Sequence, residues 1–426
     1  MYHQFLKTAT LETAYNEYVE PFKIQKSSIL CNIENCRGKV LTKNYPALTN
    51  LPGFRRSTVD GYAVNSKTTF GASQQNPVYL PLAGEILMGE VADFTLKPGF
   101  VAEISTGGAL PEGADSVVMI EYTDKLKDNT IEIKHTVAPL ENIIGEADDI
   151  ACGELLLKKG AKLTSANIGL LAAMGINEIE VASQLTTAII ATGDEIVSHK
   201  CKEVPKGCVR DVNNPLLLSM LNKSDCKISD MGIVKDNEKD LNEIITKSVA
   251  DNDVTLISGG SSAGARDFTY KIISELEQGE VLFHGLMISP GKPVILGRAG
   301  QKVIIGLPGH PVSLTVVMRF LVLPLINRLK GLVNWKPEPS GKVSLNEKVS
   351  SKPGREEFVR VFAELNYTDT TNNDNTGNDG IRTATVVRGP SGSIASLSRA
   401  NGFAHIGIDK EGLAKDEITD FYALED

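Results

Sequence analysis

From Leu185 to Leu329, short stretches rich in aliphatic and β-branched residues alternate with stretches in which apolar residues recur every three or four positions. The runs at 187–191, 228–234 and 254–258 predict strands, and the helical spacing at 215–222, 241–250 and 268–276 predicts the helices between them. Further strands are expected at 281–288, 293–296 and 302–305, followed by a long apolar helix over 311–329. Such alternation builds a parallel sheet with helices on both faces.

On either side the rhythm changes. Residues 4–41 begin with Leu6, Leu11, Ala14 and Tyr18 at helical spacing and read as a modest helical segment. From Val59 to about Tyr122, strands at 79–83, 100–104 and 116–119 are cut by Gly and Pro. Residues 154–179 return to helix, started by Thr164 and Ser165. After Trp335, strands are expected at 355–361, 384–387 and 393–397, with a mobile hairpin loop at 368–380, a run of Asn, Thr, Asp and Gly that has little apolar area to bury.

A chain of 426 residues exceeds what one hydrophobic core supports. The expected fold is mixed and multidomain: a helical and linker domain from 1–55 plus 150–183, a small β-rich domain at 56–149, a central α/β parallel-sheet domain at 184–331, and a C-terminal β-barrel-like domain at 332–426.

Charge narrows the partners. A formal net charge of -9 disfavours wrapping nucleic acid or lying on anionic lipid. The first ten residues lack the apolar core of a signal peptide, and the most apolar stretch, 316–326, falls short of the roughly 20 residues that span a bilayer. A cytoplasmic protein is expected. Six cysteines without CxxC spacing predict neither a zinc site nor a disulfide framework.

Candidate chemistry lies in loops that follow strands, where ligands of open α/β sheets bind. Three are rich in glycine and polar residues: Thr192, Gly193, Asp194 and Glu195; Ser258, Gly259, Gly260, Ser261, Gly264 and Asp267; and Gly306, Pro308, Gly309 and His310. The glycines permit close backbone approach to a phosphate, although a tight turn explains them equally well. Neither a Walker loop nor GxGxxG is present. Carboxylates beside a phosphate cradle point to a divalent cation, magnesium, held by Glu195 and Asp267; helix capping is the competing explanation for Asp267. Pro290, Gly291 and Lys292 form a turn with one cation suited to phosphate or to solvent. In the β-rich unit, the loop around Arg55, Arg56, Ser57, Asp60 and Gly61 and the glycine-rich loop from Ser105 to Asp115 are polar without a solvating period.

Taken together these segments resemble the MoeA family, which includes the E domain of gephyrin. Ser57-Thr-Val-Asp-Gly-Tyr-Ala63 is similar to its S-x-x-D-G-Y-A block, and Thr106-Gly107 through Asp115 to Met119 to its T-G-x-x-x-P-x-G-A-D-x-V-V-M block. Thr192-Gly-Asp-Glu195, Asp211-Val-Asn213, Ser258-Gly-Gly260 with Gly264 and Asp267, Pro290-Gly-Lys-Pro293 and Gly306-Leu-Pro-Gly309 follow in the family's order. The resemblance implies a four-domain homodimer with a MogA-like α/β domain, a cleft shared with the β-rich domain of the partner copy, and insertion of molybdate into adenylated molybdopterin, with magnesium-dependent release of AMP. It implies as further partners a molybdopterin adenylyltransferase and recipient molybdoenzymes. Asp60, Thr106, Asp149, Glu195, Asp236 and Asp267 stand where the family has residues important for activity. Asp148 competes with Asp149, because Gly145-Glu-Ala-Asp-Asp-Ile150 is two residues longer than the family's Gly-Glu-Asp-Ile.

Departures from the pattern leave the oxyanion open. Ser289 and Gly285 stand where relatives carry lysine, and Arg55-Arg56 replaces Asp-Asn; His310, in place of asparagine, reads as a packed or capping residue. Tungstate has nearly the same size and charge as molybdate. A tungstate-inserting homologue and a non-catalytic molybdopterin-binding scaffold are the alternatives, with a lone adenylyltransferase disfavoured by the blocks around Asp60 and Thr106.

Overall fold

The structure, a computed structural model, describes residues 7–23, 27–259, 263–364 and 382–424, with only the backbone described for 263–267. Leu6 and the loop expected at 368–380 lie outside the described residues. The small domain is one six-stranded sheet whose strands are β1 (Gly61–Val64), β2 (Val78–Ile86), β3 (Val101–Ile104), β4 (Ser116–Met119), β5 (Thr123–Lys125) and β6 (Thr130–Ile133), in the order β4-β1-β3-β2-β6-β5. Alternate residues close its two small cores around Val64, Val118 and Ile131 and around Ile86, Ile104 and Val117.

The linker region is less helical than its sequence suggests. Leu11–Thr13, started by the Thr10 side chain, runs on through Ala14–Val19, but Ser28–Asn32 is a strand paired antiparallel with Glu178–Ala182. Within 154–179 only α1 (Ser165–Ala173) is helical, because Thr164 and Asn167 form a capping box that starts the helix there. The preceding Leu155–Leu157 pairs with Tyr45–Pro46.

In the α/β domain the strands are β7 (Leu185–Thr192), β8 (Cys226–Val234), β9 (Val254–Ser258), β10 (Gly279–His284), β11 (Ile295–Ala299) and β12 (Lys302–Leu307). Their order is β8-β7-β9-β12-β11-β10. The first four are parallel, whereas β11 runs antiparallel to both neighbours, so the sheet is mixed. The short links at 300–301 and 285–294 leave no room for crossover helices there. Helices α2 (Asn213–Asn222), α3 (Glu238–Asp251) and α4 (Ala263–Glu275) supply the other connections. The apolar helix α5 (Pro311–Leu329) is long enough to cross a membrane but is mostly buried in the central core. That core also takes in Tyr15, Trp335, Phe358 and Phe403, from both ends of the chain.

The C-terminal strands β13 (Gly341–Leu345), β14 (Glu356–Ala363), β15 (Arg382–Val386), β16 (Gly402–Ile406) and β17 (Ile418–Ala423) pair in a ring and form a closed barrel. The strand expected at 393–397 is instead a helix, α6 (Ile394–Arg399). Ser393 caps it by accepting from the Ser396 N–H, and its buried residues Ser396 and Leu397 lie on one side.

Candidate functional site

Parallel register sends four chain segments over one edge of the α/β sheet. Ala191 stands beside Ser258, Ser258 beside Leu307, and Thr192 beside Val234. The chain beyond each strand therefore leaves from the carboxyl edge: Gly193, Asp194 and Glu195 from β7, Asp236 from β8, Gly259 from β9, and Pro308 and Gly309 from β12. Ile295 pairs with Gly306, so the turn carrying Pro290, Gly291 and Lys292 also opens at this edge, one strand beyond β12.

Thr192 and Asp236 form the centre of this group. The Thr192 hydroxyl donates to the Asp236 carboxylate, and the Asp236 N–H donates to Oδ1 of Asp194 at 3.4 Å. Burial pushes the Asp236 carboxyl above the ordinary aspartate range; the Thr192 hydroxyl opposes the shift, while the charges of Asp194 and Glu195 add to it. Among the described residues no ion pair offsets these three acids. Asp194 and Glu195 are exposed.

Gly259 has φ +99°, and a Cβ there would lie 2.0 Å from the Thr192 carbonyl oxygen. Only glycine lets the β7 and β9 loops touch in this way. Gly309 approaches from the third loop, its Cβ position lying 3.6 Å from Cα of Gly259. Asn213, a residue absent from the expected site, ties these loops together: its Nδ2 donates to Ser258 Oγ at 2.9 Å and to the Gly309 carbonyl at 2.8 Å. Asp211 in turn accepts from the Asn213 and Asn214 N–H groups, fixing the start of α2. The signal in the sequence was three polar residues at a helix start, Asp211, Asn213 and Asn214, all of which are buried.

Gly260 and Ser261 lie outside the described residues, and Gly264 and Asp267 are placed only by the backbone of α4. No cluster of three or more metal-binding side chains occurs among the described residues. Gly291 is closely packed, its Cβ position 3.0 Å from both Ile288 and Val317 side chains, whereas Lys292 is exposed. His310 occupies the N-cap position of α5 without capping it; its Nδ1 pairs with Ser391 Oγ at 2.9 Å.

Asp60 and Thr106 meet in the small domain. The Thr106 backbone N–H and hydroxyl both donate to Asp60, and these bonds, the backbone one foremost, hold its carboxyl below the ordinary range. The two loops are laced by backbone bonds from Gly107 to Ser57 and from Ser57 to Gly108. Gly61 is required beside Asp60, since a Cβ would lie 1.9 Å from the Val118 carbonyl oxygen. Asp148 closes its own turn by accepting from Gly145 N–H at 2.6 Å. Asp149 is exposed, and its carboxylate is uncommitted among the described residues. Arg55 donates weakly to the Ala114 carbonyl at 3.4 Å, and Arg56 is exposed in a short pairing with Ile144. Among the described residues no hydrogen bond joins the Asp60 group to the Asp236 group.

Comparison with known proteins places these features in one family. Models of the MoeA N-terminal region (domains I and II), a probable molybdopterin binding domain and the MoeA C-terminal region (domain IV) match residues 9–175, 188–328 and 342–424. The chain is 30% identical to the molybdopterin molybdenumtransferase of Haemophilus influenzae over 357 residues, 84% of this chain and 86% of that one. A putative molybdopterin biosynthesis protein of Methanocaldococcus jannaschii is 30% identical over 96% of this chain and 94% of its own. Among solved structures, a molybdopterin biosynthesis MoeA protein of Pyrococcus horikoshii is 26% identical, with a TM-score of 0.82 over 98% of this chain and the whole of the other. With three successive regions and nearly its full length accounted for, this chain belongs to the MoeA family of molybdenum cofactor biosynthesis.

Proposed function

We propose that this protein inserts molybdate into adenylated molybdopterin and hydrolyses the adenylate, releasing AMP and finished molybdenum cofactor. The observation that carries this reading is the convergence of the β7, β8, β9 and β12 ends around Thr192, Asp236 and Gly259. This edge combines a glycine-opened approach for phosphate with acids that stay near one another. The catalytic group of the proposal is Asp60, Thr106, Asp149, Glu195, Asp236 and Asp267. A homodimer, an adenylyltransferase donor and recipient molybdoenzymes belong to the same proposal.

The donor set at the edge fits magnesium. Burial and two neighbouring acids already push Asp236 up, and among the described residues no ion pair offsets it. Magnesium needs only one or two carboxylates when phosphate oxygens complete its shell. Glu195 and Asp267 would hold it; when bound it neutralises phosphate charge and polarises the phosphoanhydride. Thr192 steadies Asp236 in its ionised form, and the Gly259 backbone leaves open the space a phosphate group needs. Asp236, held by the Thr192 hydroxyl at the loop end, is the acceptor for a proton from water in this proposal.

The test is to incubate the full chain with adenylated molybdopterin and magnesium, adding molybdate or tungstate, and to follow AMP. Release dependent on molybdate is expected. Release with tungstate alone moves the reading to the tungstate homologue, and no release with either moves it to a molybdopterin-binding scaffold.

A further inference from the structure

All six cysteines are free, and two of them meet in the linker domain. Cys31 lies in the strand Ser28–Asn32, opposite Ile179 of the strand that precedes β7, and Cys36 follows the short helical turn Ile33–Asn35. Asn32 caps that turn by accepting from the Glu34 N–H at 3.0 Å, and the Cys36 N–H donates to the Ile33 carbonyl. The chain therefore doubles back and carries the second thiol to the first. Both thiols donate to one acceptor, the Asn32 carbonyl, at 3.5 Å from Cys31 Sγ and 3.0 Å from Cys36 Sγ; Cys36 Sγ also lies 3.6 Å from the Cys31 carbonyl.

The two thiols differ in the way a stepwise reaction needs. Cys36 is buried in the linker core with Ile33, Leu41 and Leu171. Burial foremost, and then the Cys31 thiol beside it, push the Cys36 thiol up to about 12, with the Lys39 ammonium acting the other way. Cys31 is half-buried, so a small oxidant reaches it first. Beyond the turn, Lys39 crosses to the α/β domain, its ammonium 3.0 Å from both carboxylate oxygens of Asp225.

We propose that Cys31 and Cys36 are a reversible oxidation site, a thiol pair that a peroxide converts to a disulfide. The Cys31 sulfur attacks one peroxide oxygen and the O–O bond breaks, leaving a sulfenic acid on Cys31 and one water. The Cys36 sulfur then attacks the Cys31 sulfur, the S–O bond breaks, and hydroxide leaves as water with the Cys36 proton. Two thiols are oxidised and one peroxide is reduced to two waters. A dithiol reverses the change by exchange. The bond closes the turn that leads to Lys39, so oxidation stiffens the joint between the linker and α/β domains.

Trypsin releases Ser27–Arg37 as one peptide that holds both cysteines. The folded, full-length protein is treated with hydrogen peroxide, unfolded, alkylated at its remaining thiols, digested and weighed by mass spectrometry. The peptide is expected to lose two hydrogens and take no alkyl group, and to regain both thiols when dithiothreitol precedes alkylation. In Cys31→Ser, Cys36 should stay a thiol at the same dose; in Cys36→Ala, Cys31 should stop at a sulfenic acid that dimedone captures. The oxidised wild type should melt a few degrees above the reduced form, because the cross-link restricts the unfolded chain, and Cys31→Ser should show no such rise. A peptide that keeps both thiols while the exposed Cys152 is oxidised overturns the proposal. So does a disulfide that forms only in urea, or Cys36 oxidised in Cys31→Ser as readily as in the wild type. A disulfide formed without any rise in melting temperature overturns the stiffening of the joint.

Discussion

Two donors of Thr106, its backbone N–H at 2.7 Å and its hydroxyl at 3.0 Å, converge on Oδ1 of Asp60. Thr106→Val removes the hydroxyl and keeps the backbone bond. The Asp60 carboxyl should then rise part of the way back towards its ordinary value. A group lowered by folding is ionised at lower pH than its unfolded counterpart, so its contribution is lost as pH falls through the depressed value. If ionised Asp60 is what binds substrate, the acid limb of the kcat/KM profile should move to higher pH in Thr106→Val. An acid limb at the wild-type position would show that the hydroxyl does not tune Asp60.

Asp236 presents the opposite sign. Its carboxyl is raised, chiefly by burial, so ionisation at neutral pH works against the folded state. The favourable difference exists below the unfolded aspartate value of about 3.9 and is lost as pH rises through the raised value. Asp236→Asn is therefore expected to be at least as stable as the wild type in urea at pH 7. The gap should close near pH 3, and AMP release should fall sharply. Thr192→Val, which removes the hydroxyl that steadies the ionised form, should lower stability at pH 7. A markedly less stable Asp236→Asn at pH 7 would contradict this account.

How far these features could be read from sequence depends on range. Strands such as Val254–Ser258 and Ser116–Met119 were legible because short, mostly apolar runs bury both faces. The loops at Thr192 and Ser258 were legible because glycine and acids cluster where strands end. The reversal of β11 was not, since direction depends on the short link at 300–301 and the pairing of Ile295 with Gly306. Nor was α6, where six residues of mixed character follow a serine that only the folded chain shows to be a cap. The part played by Asn213 is not legible in its local sequence, because it joins Ser258 and Gly309, 45 and 96 residues away. Spacing likewise does not reveal the local bond from Gly145 N–H to Asp148, which engages one of the two neighbouring acids in its own turn.

Gly259 should tolerate no side chain. Its positive φ strains any other residue, and an added Cβ meets the Thr192 carbonyl at 2.0 Å, a backbone atom that cannot swing aside. Overpacking of this kind costs about 1–3 kcal/mol, with backbone strain of about the same size. Gly259→Ala should therefore melt at lower denaturant and lose AMP binding, because the shift displaces the loop that carries Thr192. Gly309→Ala meets only ordinary contact at 3.6 Å and should keep most of its stability. Equal stability losses in the two variants would rule out the close approach at Gly259 as the cause.

The clasp between the two ends of the chain offers a test of stability apart from chemistry. Tyr15, in the N-terminal helical segment, is buried; its hydroxyl donates to the Phe320 carbonyl, and its ring packs edge-on against Trp335 at 5.5 Å. Phe320 lies in the π-helical part of α5, where the altered ladder frees carbonyls for other donors. Tyr15→Phe keeps the ring and leaves that carbonyl without this donor, at a cost of about 1 kcal/mol. Burial pushes the Tyr15 hydroxyl far above the usual tyrosine range, so it stays protonated in the folded protein. Stability from a raised group is fully present below its unfolded value, about 10 for tyrosine, and is lost as pH rises beyond it. The difference between wild type and Tyr15→Phe in urea should therefore be constant from pH 6 to about 9 and shrink above about 10, as the unfolded tyrosine ionises and the folded one does not. A difference that stays constant past pH 11 would mean that Tyr15 ionises as readily in the folded chain as in the unfolded one, and that the buried hydrogen bond is not what holds the N-terminal segment on α5.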